Sequence, residues 1–326
     1  MINDETNAFL IGATTQTGDA VVFRHAIERG MVSLIIPVYQ DVDGLRCTLA
    51  SLAAQDLPKE RLEILVANDG GAEEISAVCR MFPVKEILVV PNQGAYVARN
   101  RALAESRGEY IGFTDADVTV DSAWCKEAVL TLQGADMASG KTKIEVSSRR
   151  TIAELYQACY AFWAESYQQN QKVAQTVNLF VRRSVFEKCG WFDGRLRSGG
   201  DIEFTLRASE IHGCSLLYNP KMLCTHPARN AHQLFHSLKR IFYGQLTLFS
   251  MYPQHARIFS PNIALAWKLI IPPKPLPATR TREFGFSAVE KLKTWLFVWL
   301  VKLAVFKCYC TIYLPYRLTR RKGARP

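Results

Sequence analysis

Between residues 31 and 114, short apolar runs alternate with segments of helical periodicity. The runs are rich in Val, Ile and Leu, as expected of strands buried on both faces of a sheet. In the segment after the first run, Leu45, Leu49 and Leu52 fall on one face of a helix. This alternation predicts an α/β fold with a mostly parallel central sheet flanked by helices. The four predicted strands are Val32–Val38, Leu62–Ala67, Val84–Val90 and Tyr110–Thr114.

After Asp136 the alternation is weaker. The pattern predicts a strand at Met137–Val146, a long helix at Ile152–Gln168 and a strand at Val173–Val181. A polar segment, Ser198–Arg207, then has the composition of a Gly loop that enters a helix. Asp201 lies at or near the start of that helix, where an acid often serves only as an N-cap.

Each of the first four predicted strands is followed directly by polar residues. In parallel sheets, ligands bind beyond the carboxyl ends of the strands. Any one of these segments alone has the composition of an ordinary turn. Four in succession predict a pocket at one edge of the sheet. The segments are Pro37–Asp41, Asn68–Gly71, Pro91–Gly94 and Asp115–Asp117.

Asp115 and Asp117 are two carboxylates separated by one small residue at the end of an apolar run. Buried without compensation, such a pair would be costly. A hard cation such as Mg2+ or Mn2+ would neutralise the pair and could hold the phosphates of a substrate. Because Asp is also common at helix starts, the spacing alone leaves helix capping equally open.

The charge of the chain is concentrated near its C-terminus. The chain has 326 residues and a formal net charge of +10, yet residues 268–326 contain 13 Lys and Arg against two Glu. Residues 1–267 contain 27 basic and 28 acidic residues and are close to neutral. Basic residues around an apolar segment suggest an anionic membrane surface as a partner and do not suggest nucleic acid.

The apolar segment Lys291–Leu314 follows a proline-rich break at Ile270–Pro277. Lys302 and Lys307 interrupt it, so its uncharged runs are shorter than the roughly 18 to 20 residues of a spanning helix. We expect an interfacial helix with Trp295, Trp299 and Phe306 in the membrane and the lysines snorkelling. A tilted span or a soluble packing helix stays open. The predicted organisation is an arm at 1–30, a catalytic domain at 31–267, and a linker with a membrane-associating segment at 268–326.

The compartment is expected to be cytoplasmic, at the cytoplasmic face of a membrane. The first residues, Met1–Thr6, lack the basic region and apolar core of a secretory signal. The nine cysteines are scattered and include no Cys-x-x-Cys pair, which indicates free thiols.

Four segments resemble the family 2 glycosyltransferases of the GT-A fold in order, spacing and strand context, over about residues 31 to 250. The resemblance implies transfer of a sugar from a nucleotide-diphospho-sugar, most simply a UDP-sugar, to an acceptor hydroxyl with inversion. It also implies assistance by Mn2+ or Mg2+ and a place in polysaccharide or lipid-linked glycan synthesis. The segments are Val32–Tyr39, Val66–Gly70, Asn92–Leu103 and Thr114–Asp117.

The resemblance also implies roles for individual residues on the donor side. Asp69 would bind the base or ribose, Arg99 would lie near the nucleotide or sugar, and Asp115 would contact ribose or support the metal site. Asp117 would ligate the metal that bridges the phosphates. Pro37, Val38 and Tyr39 would flank the base. Asp41, Asn92 and Gly94 are the other residues expected to bind the donor.

For the catalytic base, similar enzymes use a Glu-Asp-x-Glu/Asp segment that opens a helix and is followed by Arg. Here Gly200–Glu203 with Arg207 occupies that place, and Gly200 departs from the family pattern. The resemblance therefore implies Asp201 as the base, with Glu203 as the second candidate. Glu203 and Arg207 are also expected among the substrate-binding residues. His226, in a Cys-Thr-His-Pro segment, would complete the metal or diphosphate site, although a lone His is often structural.

Two other functions remain open from the sequence. A nucleotidyltransferase also combines a sheet edge, a divalent metal and a nucleotide, but no Gly-rich triphosphate loop follows the first predicted strand. A non-catalytic nucleotide- or glycan-binding protein could retain the same fold. The acceptor is expected to be a glycan or a lipid-linked carrier. Residues after His226 either line its site or form a solvated basic helix face, namely His236, Lys239, Arg240, Tyr243 and Gln245.

Overall fold

The structure is a computed structural model that describes residues 22–162, 164–252 and 266–314. Most of the predicted N-terminal arm and the last basic residues of the tail lie outside these ranges. The chain divides into two compact units. Among the described residues, we call 22–143 with 162 and 164–227 the sheet unit. Residues 144–161, 228–252 and 266–314 are the C-terminal unit.

In the part of the chain that the structure describes, eight strands form one sheet. In space they are ordered β3-β2-β1-β4-β7-β6-β8-β5. Their bounds are β1 (Glu28–Val38), β2 (Leu62–Asp69), β3 (Lys85–Val89), β4 (Gly108–Phe113), β5 (Thr119–Val120), β6 (Met137–Glu145), β7 (Leu179–Arg182) and β8 (Leu216–Pro227).

The α-helices described in these ranges alternate with the strands in the first part of the chain. In chain order they are α1 (Val42–Ala53), α2 (Glu73–Cys79), α3 (Ala95–Ala104), α4 (Trp124–Leu132), α5 (Ile152–Tyr160), α6 (Ala164–Gln171), α7 (Arg183–Cys189), α8 (Gly200–Leu206), α9 (Ala231–Met251), α10 (Ala278–Glu283) and α11 (Ala288–Cys308). A π-helical turn, Tyr309–Tyr313, continues α11.

The first half of the sheet is parallel, as predicted. β1 pairs in parallel with β2 and β4, and β2 pairs in parallel with β3. The carboxyl ends of these four strands therefore meet at one edge. The second half differs, because β4–β7, β6–β7 and β5–β8 are antiparallel pairs. Antiparallel neighbours need no long crossover helix, which explains why the strand–helix alternation fades after Asp136.

The core of the sheet unit follows the predicted pattern. Leu45, Leu49 and Leu52 of α1 are buried and pack in one apolar cluster with the side chains of β1 and β2. Burial of each such side chain contributes roughly 1.5 to 3 kcal/mol. This packing fixes the strand ends, and with them the loops that follow.

Two predicted elements differ from the structure. The single helix expected at Ile152–Gln168 is two helices, because α5 ends at Tyr160 and Ala161 has extended backbone angles. The strand expected at Val173–Val181 begins only at Leu179, because residues 176–178 form a 3-10 turn. The backbone N–H of Thr176 in that turn donates to Asp201, at 3.1 Å. The Asp201 side chain, 25 residues away in sequence, therefore accepts the Thr176 N–H that would otherwise pair with a neighbouring strand.

The C-terminal unit contains α5, α9, α10 and α11. α11 begins with a capping box in which Ser287 and Glu290 each accept a backbone hydrogen bond from the other. Glu290 also pairs with Arg150 at 2.6 Å. The hydrogen bond from Arg150 and the Ser287 N–H lower the pKa of Glu290 to about 2. The start of α11 is thus fixed by both local and long-range contacts.

The tryptophans of α11 contact the linker that precedes the helix. Trp295 Nε1 donates to the Pro273 carbonyl at 2.9 Å, and Trp299 Nε1 donates to the Ile270 carbonyl at 3.0 Å. Lys302 Nζ donates to the Ile271 carbonyl at 2.6 Å. These three side chains therefore donate hydrogen bonds to carbonyls of the linker. The sequence predicted the tryptophans in the membrane and Lys302 snorkelling, and it predicted none of these contacts.

Candidate active site

Helix α3 and the residue before it contact three carboxylates that come from different parts of the chain. The carboxylates end β2, follow β4 and begin α8. Since the contacts lie within two turns of one helix, α3 holds the three acids together at the predicted edge. The contacts are Gly94 N to Asp69 Oδ2 at 2.8 Å, Tyr96 Oη to Asp201 Oδ1 at 2.9 Å, and Arg99 Nη2 to Asp115 Oδ1 at 2.6 Å.

Asp69, the last residue of β2, is 3% exposed and accepts three hydrogen bonds from the turn before α3. Besides Gly94 N, Gln93 N donates to Oδ1 at 2.7 Å and Asn92 Nδ2 donates to Oδ2 at 2.9 Å. A carboxylate has about four acceptor positions, so among the contacts of the residues that the structure describes, one position on Oδ1 remains. Asn92 and Gly94, predicted to bind the donor, are here the groups that orient Asp69.

The end of β1 presents one exposed aromatic ring beside Asp69. Tyr39 is 54% exposed, and its ring lies 3.0 Å from where a Cβ on Gly70 would be. The Val38 side chain is buried in the core, so only its backbone reaches this edge. Pro37 is half-buried. Tyr39 is thus the residue of this segment whose ring is available for stacking.

Asp41 has a local structural role as the N-cap of α1. Its Oδ1 accepts from Gly44 N at 2.9 Å. The side chain is exposed, which leaves its second oxygen accessible. The structure thus shows the cap; donor binding by Asp41 stays a prediction.

Asp115 and Asp117, which follow β4, have separate partners. Asp115 pairs with Arg99, whose side chain is 4% exposed, whereas the side chain of Asp115 is 37% exposed. The loop between them is held from α1, because Thr48 Oγ1 donates to the Ala116 carbonyl at 2.8 Å and accepts from Val118 N at 3.1 Å. Neither acid serves as the N-cap of a helix, since α4 begins only at Trp124.

Asp117 faces His226 of β8, with 3.4 Å between Asp117 Oδ2 and His226 Nε2. His226 is 1% exposed, and its Nδ1 lies 2.6 Å from the Pro227 carbonyl oxygen. A carbonyl only accepts, so Nδ1 carries the proton. In the neutral ring, Nε2 then presents a lone pair toward a carboxylate oxygen. Either a second proton on the ring or a cation between the two atoms makes this contact favourable.

This arrangement suits a divalent ion that is also held by a substrate. A hydrogen bond from the second ring nitrogen to a carbonyl is the usual outer-shell support of a metal-binding His. Within the described ranges, no group of three or more His, Cys, Asp or Glu could hold a metal by itself. Mg2+ and similar ions are commonly bound by one or two protein ligands together with substrate phosphates. Asp117 and His226 fit that pattern.

Asp201 lies in the first turn of α8 and is held by three donors. Tyr96 Oη and Ile202 N donate to Oδ1, and Thr176 N donates to Oδ2 at 3.1 Å. The preceding Gly199 has φ +80°, a left-handed conformation that favours glycine. The turn at Gly199 directs the chain into α8 so that the Asp201 side chain points toward α3.

Glu203 and Arg207 form a partly buried ion pair one turn apart on the chain that follows Asp201. Arg207 Nε lies 2.7 Å from Glu203 Oε1, and Glu203 is 1% exposed. Arg207 also donates to the carbonyls of Cys189 and Trp191. These contacts attach the C-terminal end of α8 to the end of α7 and the residues that follow it. Direct contact of Glu203 or Arg207 with a substrate stays a prediction.

Several residues at this edge were not singled out from the sequence. Tyr96 lies three residues before Arg99, so helical spacing could have placed both on one face. Thr48 and the Thr176 N–H act through backbone contacts that no motif signals. Arg197 gave no signal either, although its Nη1 lies 2.5 Å from where a Cβ on Gly94 would be.

Comparison with known proteins agrees with this architecture. Residues 33–189 match the sequence family described as Glycosyl transferase family 2. Glycosyltransferase AglE of Haloferax volcanii is 32% identical over 227 residues, which cover 68% of this chain and 74% of AglE. The probable glycosyltransferase YdaM of Bacillus subtilis is 27% identical over 198 residues, covering 55% of this chain and 47% of YdaM.

Among solved structures, the fold is similar to that of the mannosyltransferase PcManGT from Pyrobaculum calidifontis, solved in complex with GDP-Man and Mn2+. The TM-score is 0.55 at 16% identity, covering 91% of this chain and 93% of that one. The fold is therefore the GT-A fold. The chain belongs to glycosyl transferase family 2, and this membership supports glycosyltransferase activity.

Proposed function

We propose that this chain transfers a sugar from a nucleotide-diphospho-sugar, most simply a UDP-sugar, to an acceptor hydroxyl with inversion and with a divalent ion. The observation that carries the proposal is the gathering of Asp69, Asp115 and Asp201 around α3. Residues near the end of β2 and β4 would hold the nucleotide, while Asp201 lies on a separate element. Binding and proton transfer are thereby divided between two sets of residues.

Asp201 would accept the proton of the acceptor hydroxyl as that oxygen attacks the anomeric carbon. A carboxylate within hydrogen-bond reach is sufficient for this step. Its three hydrogen bonds keep it oriented before the substrate arrives, which lowers the cost of reaching the reactive geometry. In a single displacement, the nucleotide diphosphate leaves from the opposite face of the sugar.

On the donor side, Asp117 and His226 would hold the divalent ion, which when bound offsets charge on the departing diphosphate. Arg99 keeps the Asp115 carboxylate in place for a ribose hydroxyl. Tyr39 would stack on the base, and the remaining acceptor position of Asp69 would take a base or ribose donor. Tyr39, Asp69 and Asp115 lie at the ends of β1, β2 and β4, which are neighbouring strands of the parallel half, whereas His226 comes from β8.

The reaction class can be tested by incubating the protein and Mn2+ with a panel of UDP- and GDP-sugars and analysing the released products. We expect nucleoside diphosphate from the active donor. For an α-linked donor, NMR spectra taken early should show the β-anomer of the freed sugar. A parallel reaction with nucleoside triphosphate and sugar 1-phosphate should give no pyrophosphate. Pyrophosphate release would instead indicate a nucleotidyltransferase, and the α-anomer would contradict inversion.

A membrane-surface location is the second part of the proposal. The helical stretch Ala288–Tyr313 is long and apolar enough to cross a membrane by length and composition. α11 exposes a stripe of leucines, with Leu292 at 60% and Leu300 at 58% exposed. The surrounding residues 268–326 carry the excess of Lys and Arg. These features support α11 lying on an anionic membrane, at its cytoplasmic face, where a glycan or lipid-linked acceptor would be available.

The leucine stripe gives a direct test of that location. Replacing Leu296 and Leu300 together with Glu should abolish flotation with vesicles of phosphatidylcholine and phosphatidylglycerol, because two charges on the exposed leucine face that would enter the membrane oppose insertion. The matched control replaces Leu130 and Leu217, exposed leucines of the sheet unit, with Glu. The control should float like the wild type. Equal flotation of both double variants would contradict the membrane role of α11.

A further inference from the structure

Gly200 occupies the position where related enzymes commonly have an acid, and the structure shows what takes up the space. A Cβ on Gly200 would lie 2.9 Å from two carbons of the Tyr96 ring and 3.0 Å from a third. Real side chains do not approach so closely, so any larger residue would displace the ring. The absence of a side chain at position 200 is thus coupled to the presence of a tyrosine at position 96.

The Tyr96 ring has little room to move away. It is 7% exposed and lies against Phe192, with 5.8 Å between ring centroids. The Arg99 guanidinium lies 5.5 Å from the ring centroid. Burial, and then the Asp201 charge, raise the pKa of the Tyr96 hydroxyl far above its ordinary value. The hydroxyl therefore stays protonated and acts as a donor.

The hydrogen bonds also distinguish the two oxygens of Asp201. Oδ1 accepts from Tyr96 Oη and Ile202 N, which occupy both of its usual acceptor positions. Among the contacts within the described ranges, Oδ2 accepts from Thr176 N, which leaves it one position. Oδ2 is therefore the oxygen with capacity for the proton of an acceptor hydroxyl.

We propose that Tyr96 is a positioning residue for the reaction, which holds Asp201 through Oδ1 so that Oδ2 faces the acceptor, and that Gly200 is the residue that admits its ring. This inference rests on the proposed function, in which Asp201 is the base. The proposal accounts for the departure from the family pattern at position 200. The Tyr96 ring of α3 occupies the space that a side chain at position 200 would fill, and from there its hydroxyl contacts Asp201.

The test measures release of nucleoside diphosphate from UDP-glucose, UDP-N-acetylglucosamine and GDP-mannose, each with Mn2+. Tyr96→Phe keeps the ring and removes the donor, so kcat should fall about tenfold while the donor KM stays within about twofold. Gly200→Ala should give a similar loss by moving the ring. Tyr110→Phe is the matched control, because Tyr110 is equally buried but lies in β4, and it should behave like the wild type.

The double variant Asp201→Asn/Tyr96→Phe decides whether Tyr96 acts through Asp201. It should be no slower than Asp201→Asn alone, since residues that act as a unit are not additive. A normal kcat in Tyr96→Phe, a loss confined to KM, or a further loss in the Asp201→Asn background would each overturn the positioning role. If Asp201→Asn itself releases product like the wild type, the proposed base is wrong, and the inference fails with it.

Discussion

Replacing Asp201 with Asn is expected to lower kcat for sugar transfer about a thousandfold while donor affinity stays within about twofold. Asn has nearly the same shape as Asp, so the fold of α8 should be kept. Its amide cannot take up a proton at neutral pH, so the acceptor hydroxyl would attack without a base. The measurement is kcat and KM for the donor identified in the panel, together with calorimetric binding of that donor.

Asp136→Asn is the matched control for the loss of one carboxylate. Asp136 Oδ2 accepts from Ser215 N at 2.8 Å and from Ser215 Oγ at 2.9 Å, so its replacement disturbs a comparable set of hydrogen bonds. We expect the Asp136 variant to lose stability but to retain the wild-type kcat. If the Asp201 variant keeps more than about a tenth of the activity, another group accepts the proton, and Asp201 has only the structural role of a residue at a helix start.

The parallel half of the fold could be predicted because local sequence carries the relevant information. Strands buried on both faces require continuous apolar runs, and the helices between them require one apolar face. Leu45, Leu49 and Leu52 meet that condition, and all three are buried. The polar turns after the strands then follow from topology, since parallel strands share one carboxyl edge.

The contacts that complete the site could not be predicted in the same way. Tyr96 and Asp201 are 105 residues apart, and their contact depends on how α8 packs, which periodicity does not encode. The pairing of Trp295 with Pro273 is similar: an aromatic residue in an apolar helix suggests a membrane, and only tertiary structure reveals the carbonyl partner. Sequence patterns indicate which residues are buried, but the partner of each polar group is set by packing.

Replacing Asp117 with Ala is expected to remove the effect of Mn2+ on nucleotide binding. Loss of a group that merely supports a metal ligand typically weakens metal binding roughly 10- to 100-fold, so loss of a ligand should cost at least about 100-fold. UDP and GDP are titrated calorimetrically with Mn2+ or with EDTA. The wild type should bind much more weakly in EDTA, whereas Asp117→Ala should bind weakly in both.

Two further variants, one of His226 and one of a neighbouring acid, show whether the effect belongs to the proposed metal site. His226→Ala should weaken Mn2+-dependent binding in the same direction, because the imidazole and the Asp117 carboxylate face one another across 3.4 Å. Asp121→Asn is the matched control: this exposed Asp, four residues further along, accepts from Ala123 N at 3.1 Å and has no part in the proposed site. It should retain the full response to Mn2+. If the wild type binds each nucleotide as tightly in EDTA as with Mn2+, no ion bridges the protein and the diphosphate. The contact between Asp117 and His226 is then an ordinary ion pair with a protonated His226.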